Sequence, residues 1–138
     1  MNVREEEFRR EVLAVPSSAG LLRDLTEVQL AKWGAGATLM DDALLVVSEL
    51  ATNSIRACPG HLIALVLRTI PGALIIEVHD PSQAPPRPRR ASVADDGGRG
   101  LEIVDHLAEL WGTHWPAGGG KIVWAKMPVN AGEVITDR

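Results

Sequence analysis

Two runs of branched aliphatic residues, joined by a proline–glycine pair, constrain the fold of this chain most strongly. Residues 61–70 are HLIALVLRTI and residues 73–80 are ALIIEVHD, with Pro71 and Gly72 between them. Valine and isoleucine favour strands, and a Pro-Gly pair favours a turn. The pattern therefore predicts an antiparallel hairpin, whose apolar side must pack against further elements.

Helical patterns precede this hairpin. Residues 17–34, SSAGLLRDLTEVQLAKWG, carry an apolar face and end at a glycine, which predicts a first helix. A second helix is predicted to begin at Thr38, or at Asp41 and Asp42, and to reach about Ala57. Both helices have apolar stripes that need a common surface on which to be buried.

One helix and two strands complete the predicted fold. Residues 101–112, LEIVDHLAELWG, have apolar residues at helical spacing up to Trp111, and we expect this helix to end at Gly112. The first strand is predicted in residues 8–15 and the last in residues 118–129. The order β-α-α-β-β-loop-α-β lacks the regular alternation of a doubly wound fold. It predicts an α+β two-layer sandwich, with a mostly antiparallel, mixed sheet and helices on one face.

Composition excludes several classes of protein. The formal net charge of −4 provides no basic field for direct nucleic-acid binding. Cys58 is the sole cysteine, so an intramolecular disulfide is impossible. The apolar runs fall short of the roughly 20 residues that span a bilayer, and the charged N-terminus has no signal-peptide core. We therefore expect a soluble, cytoplasmic protein with no membrane partner.

The second predicted helix carries a polar pair within an apolar sequence. Glu49 and Asn53, in the segment SELATNS, lie one turn apart on the same helical face. The pair is either a solvated helix edge or a buried pair, which costs several kcal/mol unless it finds partners. A ligand is one such partner, because a glutamate suits a general base and an asparagine oxygen suits Mg²⁺.

Two further features have both a structural and a functional interpretation. Asp80 ends an apolar strand, where it either caps a turn or accepts a hydrogen bond from an amine at the rim of the core. The segment GGRG (residues 97–100) either is a flexible linker or exposes backbone N–H groups that bind phosphate at a helix start. Residues 82–97, rich in proline and arginine, form a long loop that is either functional or disordered.

In combination and in this order, these motifs resemble the GHKL (Bergerat-fold) ATP-binding domains. The segments VSELATNSIRA, VHDPS, GGRGLEIVDHLAELWG and GGKIVWA are similar to the small bacterial serine/threonine kinases of the SpoIIAB and RsbW anti-sigma type. The resemblance covers about Phe8 to Val129. It implies the Bergerat ATP-binding fold as a single domain over residues 1–138, with ATP and Mg²⁺ as cofactors.

The resemblance also implies roles for individual residues. Glu49 matches the family's general base, Asn53 its Mg²⁺ ligand, and Asp80 the carboxylate that binds the adenine amine. Residues 82–97 correspond to the ATP lid, which we expect to be irregular and mobile without ligand. The other positions that match nucleotide-binding residues are Ser82, Gly98, Arg99, Gly100 and Leu101.

Two departures from the family pattern predict weakened ATP binding. The family's Asp-x-Gly-x-Gly is DPSQA here (residues 80–84), and Ile122 stands where relatives often carry a threonine that helps to hold the adenine. Each lost contact costs about 1 kcal/mol. Together they predict ATP binding about tenfold to a hundredfold weaker than that of a relative with the full set.

The resemblance implies an ATP-dependent kinase that acts as an anti-sigma factor and phosphorylates a small antagonist protein. Its partners would be a sigma factor and that antagonist, and the family pattern allows a homodimer. One alternative is a nucleotide-weak or nucleotide-free regulator that sequesters a sigma factor or similar partner without kinase activity. Another is an interaction domain that binds no nucleotide. ATP binding and phosphotransfer to an antagonist distinguish these hypotheses.

Overall fold

A computed structural model describes residues 5–86, 100–130 and 135. The elements in chain order are β1 (Glu7–Leu13), α1 (Ser18–Lys32), α2 (Ala37–Ala57), β2 (Leu62–Ile70), β3 (Ala73–Asp80), α3 (Gly100–Leu107), β4 (Leu110–His114) and β5 (Lys121–Pro128). The strands form a five-stranded sheet in the order β1-β2-β3-β5-β4, and each pairing between neighbours is antiparallel. The α+β prediction is confirmed.

The predicted hairpin consists of β2 and β3, which pair from Ala64 opposite His79 to Ile70 opposite Ala73. The turn between them places Gly72 at a φ of 78°. A side chain would be strained at this left-handed position, so glycine is the residue that suits it. The local sequence pattern therefore predicts both the hairpin and its turn correctly.

Alternation along the strands separates the two faces of the sheet. On β3, Leu74, Ile76 and Val78 are fully buried and belong to the main apolar core, whereas Glu77 and His79 point to the other face and are half-buried. Residues from all three helices belong to the same core. The helices therefore cover one face of the sheet, which we call the covered face, and we call the other the open face.

The helix α2 lies at the centre of the covered layer. It packs against α1 and α3 and against strands β2, β3 and β5, while α1 contacts β1 and α3 contacts β4. It begins at Ala37, slightly before the predicted start, and its cap residue Gly36 provides no side-chain hydrogen bond. Within the described parts of the chain, no helix combines the length and apolarity needed to cross a membrane.

The prediction of one helix over residues 101–112 is wrong. The helix α3 ends at Leu107, and residues 110–114 form β4, which pairs with β5. Gly112 allows this pairing, because a Cβ there would lie 3.1 Å from the ring of Trp124 on β5. Pairing with β4 supplies the backbone groups of β5 with hydrogen-bond partners. This gain outweighs the helical preference that the apolar spacing up to Trp111 indicates.

Candidate functional site

The end of β3 and the start of β5 bring two buried charged residues together. Asp80 and Lys121 are directly opposite each other in the antiparallel pairing, so both side chains lie on the covered face. The Lys121 Nζ lies 3.5 Å from Asp80 Oδ2, and the two side chains are 1% and 0% exposed. An ion pair at this depth is shielded from water, so its energy depends on how well its hydrogen bonds are satisfied.

The carboxylate of Asp80 accepts two hydrogen bonds of good length. The Ser54 hydroxyl on α2 donates to Oδ2 at 2.5 Å, and the backbone N–H of Ser82 donates to Oδ1 at 2.9 Å. An ionised carboxylate offers about four acceptor positions, so it retains the capacity for a further donor. The predicted nucleotide residue Ser82 thus contacts Asp80 through its amide, while its hydroxyl accepts a hydrogen bond from the N–H of Ala84 at 3.1 Å.

Lys121 is a residue of the candidate site that the sequence patterns above do not single out. Its Nζ is buried and has no hydrogen-bond partner in the part of the chain that the structure describes, although an ammonium carries three donors. A signal was present, because Val123, Ala125 and Met127 alternate on β5, and the same period extended backwards reaches Lys121. The alternation places an isolated lysine on the covered face.

The expectation that Ile122 adjoins the adenine site does not agree with this register. Ile122 lies opposite His79, and both belong to the open face. The turn before β5 fixes the register, since a Cβ on Gly120 would lie 2.7 Å from the carbonyl oxygen of Asp80. Gly120 also has a φ of 76°, so this close approach of two backbones requires glycine.

Glu49 and Asn53 lie half-buried on one edge of α2. On the other edge, Ser48 contacts α1, because its hydroxyl lies 3.4 Å from Arg23 Nη1. Each residue of a helix advances by about 100°, which places Glu49 and Asn53 on the edge away from Ser48 and α1. Ser54 follows Asn53 directly, so the same turn of α2 reaches both this edge and Asp80.

The first residues of α3 belong to the same apolar core as α2, against which α3 packs. Gly100 is the first residue of the helix, and Leu101 is 6% exposed and packs in the core, where it anchors the helix start. The predicted phosphate-binding residues Gly98 and Arg99 lie outside the described residues. The predicted lid over residues 82–97 is described only as far as Pro86, so its mobility stays a prediction.

A thiol lies close to the carboxylate. Cys58 is buried at the end of α2, and its Sγ donates to the Ser54 carbonyl oxygen at 3.0 Å. Burial raises the pKa of the Cys58 thiol, the negative charge of Asp80 raises it further, and Lys121 acts in the opposite direction. A neutral, buried thiol is a poor nucleophile and a poor metal ligand, so Cys58 is a packing residue.

The residues fit a nucleotide chemically, although the Asp80 carboxylate is fully buried in this conformation. Asp80 can accept from a purine amine, and the Asn53 amide oxygen suits Mg²⁺. Within residues 5–86 and 100–130, no group of three or more His, Cys, Asp or Glu side chains forms a metal cluster, so a metal here would depend on Asn53 and on the ligand's own oxygens. In this conformation the carboxylate is enclosed together with the Lys121 ammonium, 3.5 Å from its Oδ2.

The chain is similar to known proteins in both sequence and fold. Residues 13–127 match the family model described as the histidine kinase-like ATPase domain. No curated protein matches the chain. The fold is similar to a crystal structure of the RsbU and RsbW domains of Rv1364c from Mycobacterium tuberculosis, with a TM-score of 0.65 and 17% sequence identity. The similarity covers 90% of this chain but 32% of that chain, so the present chain spans about a third of its length.

Proposed function

Because the chain belongs to the histidine kinase-like ATPase domain family, we propose that it is an ATP-dependent serine/threonine protein kinase that acts as an anti-sigma factor. The predicted resemblance to GHKL domains is confirmed by this match, and membership of an ATPase family implies nucleotide binding. The kinase activity, the Mg²⁺ cofactor and the partner proteins are what we propose beyond nucleotide binding. The observation that carries it is the 2.5 Å hydrogen bond from Ser54 to Asp80, which ties the Glu49–Asn53 turn to the carboxylate expected to bind adenine.

In the proposed reaction, the residues of the chain bind, orient and move one proton. Asp80 would accept a hydrogen bond from the adenine amine, and the Asn53 oxygen would hold Mg²⁺. Glu49 accepts the proton of the substrate hydroxyl. When bound, Mg-ATP would supply the phosphoryl group, which passes to the substrate oxygen as the bond between the β- and γ-phosphates breaks and ADP leaves. Phosphoryl transfer depends mostly on positioning and charge stabilisation, so few protein groups are needed.

The proposed partners are a small antagonist protein, which carries the hydroxyl, and a sigma factor that the chain sequesters. The structural similarity to a chain that contains RsbU and RsbW domains supports this partner-switching proposal. The chain would act in the cytoplasm, as a single domain over residues 1–138 with its lid at residues 82–97, and the family pattern allows a homodimer.

Variants of α2 test the kinase proposal. Glu49→Ala should abolish phosphotransfer to the antagonist while ATP binding persists, since a base acts in the transition state. Asn53→Ala should weaken binding of Mg-ATP by about tenfold or more, through loss of a contact to a charged group. Calorimetry and a labelled-phosphate assay measure the two effects. Ser48→Ala, on the opposite edge of the same helix, is the matched control and should change neither.

A second candidate is a protein-binding regulator that has lost its nucleotide. The enclosed side chains of Asp80 and Lys121 favour it, because the carboxylate expected to bind adenine is already paired with an ammonium of the chain itself. Under this alternative, ATP with Mg²⁺ gives no calorimetric signal at millimolar concentration, and the sigma factor binds equally well with and without ATP. Detectable Mg-dependent ATP binding would decide against it.

A further inference from the structure

The base end of the proposed site is closed by the chain's own lysine. The side chains of Asp80 and Lys121 are 0% and 1% exposed, so no part of the carboxylate is open to a ligand in this conformation. The Lys121 ammonium lies on the Oδ2 side of the carboxylate, at 3.5 Å. An ammonium and a purine amine are both N–H donors, and they compete for the same acceptor.

Of the three contacts that the described residues make with the Asp80 carboxylate, the one from Lys121 is the longest. The Ser54 hydroxyl and the Ser82 amide lie within hydrogen-bond distance of the carboxylate, whereas Lys121 Nζ has no hydrogen-bond partner among the described residues. A buried ammonium without hydrogen bonds keeps a desolvation cost that the attraction of one carboxylate only partly offsets. Lys121 is therefore the contact that a ligand displaces most easily.

The position of Lys121 in the chain lets it withdraw without unfolding the sheet. It is the first residue of β5 and directly follows Gly119 and Gly120, in a turn whose first residues are exposed. Its four-carbon stem is flexible, so the ammonium can turn toward solvent past this turn. The backbone pairing of β5 with β3 does not depend on where the ammonium points.

We propose that Lys121 is an internal gate of the nucleotide site, which occupies the place of the purine amine at Asp80 and sets the affinity of the chain for ATP. This inference rests on the proposed function, because it assigns a further residue to the same site. When the base enters, Lys121 withdraws and Asp80 keeps its contacts to Ser54 and Ser82. The apparent affinity of the native chain is then its intrinsic affinity reduced by the fraction of molecules in which the gate is open.

Removing the ammonium tests the gate. Lys121→Thr replaces the long side chain with a short hydroxyl and should bind ATP about tenfold or more tightly than the native chain, because opening no longer precedes binding. Lys126→Thr is the matched control on the same strand, since Lys126 lies on the open face and pairs with Glu109. Calorimetry with Mg-ATP should show no change for that variant.

A measurement on the native chain keeps the test valid if Lys121→Thr does not fold. Amine-reactive labelling followed by mass spectrometry should leave Lys121 unmodified without ligand and modify it at saturating Mg-ATP. Lys126, whose side chain is 33% exposed, should be modified in both conditions. Protection of Lys121 in both conditions, or its modification without ATP, overturns the gate.

The outcomes separate the gate from the proposed function. If Lys121→Thr binds ATP no more tightly than a native chain that does bind it, the gate is wrong and the kinase proposal stands. If neither the native chain nor Lys121→Thr binds ATP at millimolar concentration, both are overturned and the nucleotide-free regulator is favoured. Tighter binding by Lys121→Thr, with ATP-dependent labelling of Lys121, supports both.

Discussion

The strand β3 carries two charged clusters, one on each face of the sheet. On the open face, Glu77 accepts from Arg68 Nε at 3.2 Å and lies 2.7 Å from His79 Nε2, so both of its oxygens have partners. On the covered face, Asp80 faces the ammonium of Lys121, which has no hydrogen-bond partner in residues 5–86 and 100–130. The two clusters use similar residues but differ in how completely they are satisfied.

This difference indicates which cluster is structural and which is suited to a ligand. The open-face cluster is hydrogen-bonded and partly exposed to water, so it gains little from any further partner. The covered cluster is dry and incompletely paired, so each added or removed hydrogen bond changes its energy by a large amount. A bound ligand would therefore change the energy of the Asp80 cluster more than that of the Glu77 cluster.

The largest effect on stability is expected from Asp80→Ala. The change leaves the Ser54 hydroxyl and the Lys121 ammonium without their acceptor, and it should lower the free energy of unfolding by about 3 kcal/mol. This is the lower end of the range for a broken buried ion pair, because Lys121 can withdraw toward solvent. Urea unfolding measures the loss. The double variant Asp80→Ala/Lys121→Met should recover part of it, and a loss as small as that of an exposed pair would contradict the contrast between the faces.

An intermediate effect is expected from Ser54→Ala. The hydroxyl donates to a buried carboxylate, and such bonds contribute about 1.5–3 kcal/mol, so the variant should lose about 2 kcal/mol. Ser48→Ala is the control on the same helix, because its half-buried hydroxyl donates to the Leu44 carbonyl at 2.9 Å and accepts a long hydrogen bond from Arg23 Nη1 at 3.4 Å, with no buried carboxylate involved. Equal losses for the two serines would show that burial of the acceptor does not matter here.

The smallest effect is expected from Glu77→Gln on the open face, at about 1 kcal/mol near neutral pH. The hydrogen bond to His79 lowers the pKa of the Glu77 carboxyl, burial opposes this, and Arg68 lowers the pKa further. A lowered native pKa stabilises the fold above the pKa of the unfolded state, and the contribution is lost as the pH falls through the native pKa. Urea unfolding of the native chain and of Glu77→Gln, from neutral to acid pH, should therefore show the difference in their free energies of unfolding shrinking. A difference that stays constant with pH would argue against ionic pairing.

Sequence reasoning succeeded where the signal was local. The hairpin of β2 and β3 followed from two aliphatic runs and a Pro-Gly turn, and the Glu49–Asn53 pair followed from helical spacing. It failed where a distant strand decides the structure. The predicted helix over residues 101–112 includes the first residues of β4, because β5, the pairing partner of β4, follows later in the chain.

The same limit explains the site. Which residue of β5 lies beside Asp80 depends on strand register, and a shift of one residue exchanges the two faces of a strand. The resemblance predicts Ile122 near the adenine, whereas the observed register places Lys121 opposite Asp80. Ser54 was overlooked because its role depends on which face of α2 meets the end of β3, a matter of packing between elements.

The order of the strands also has a consequence for how the chain is made. β5 lies between β3 and β4 in the sheet, yet it leaves the ribosome after both. Until residues 121–128 emerge, β3 presents an unpaired, largely apolar edge, and such edges recruit other chains. Asp80 is also without Lys121 during this interval. The strand β5 therefore both protects the nascent sheet from aggregation and completes the charged pair of Asp80 and Lys121.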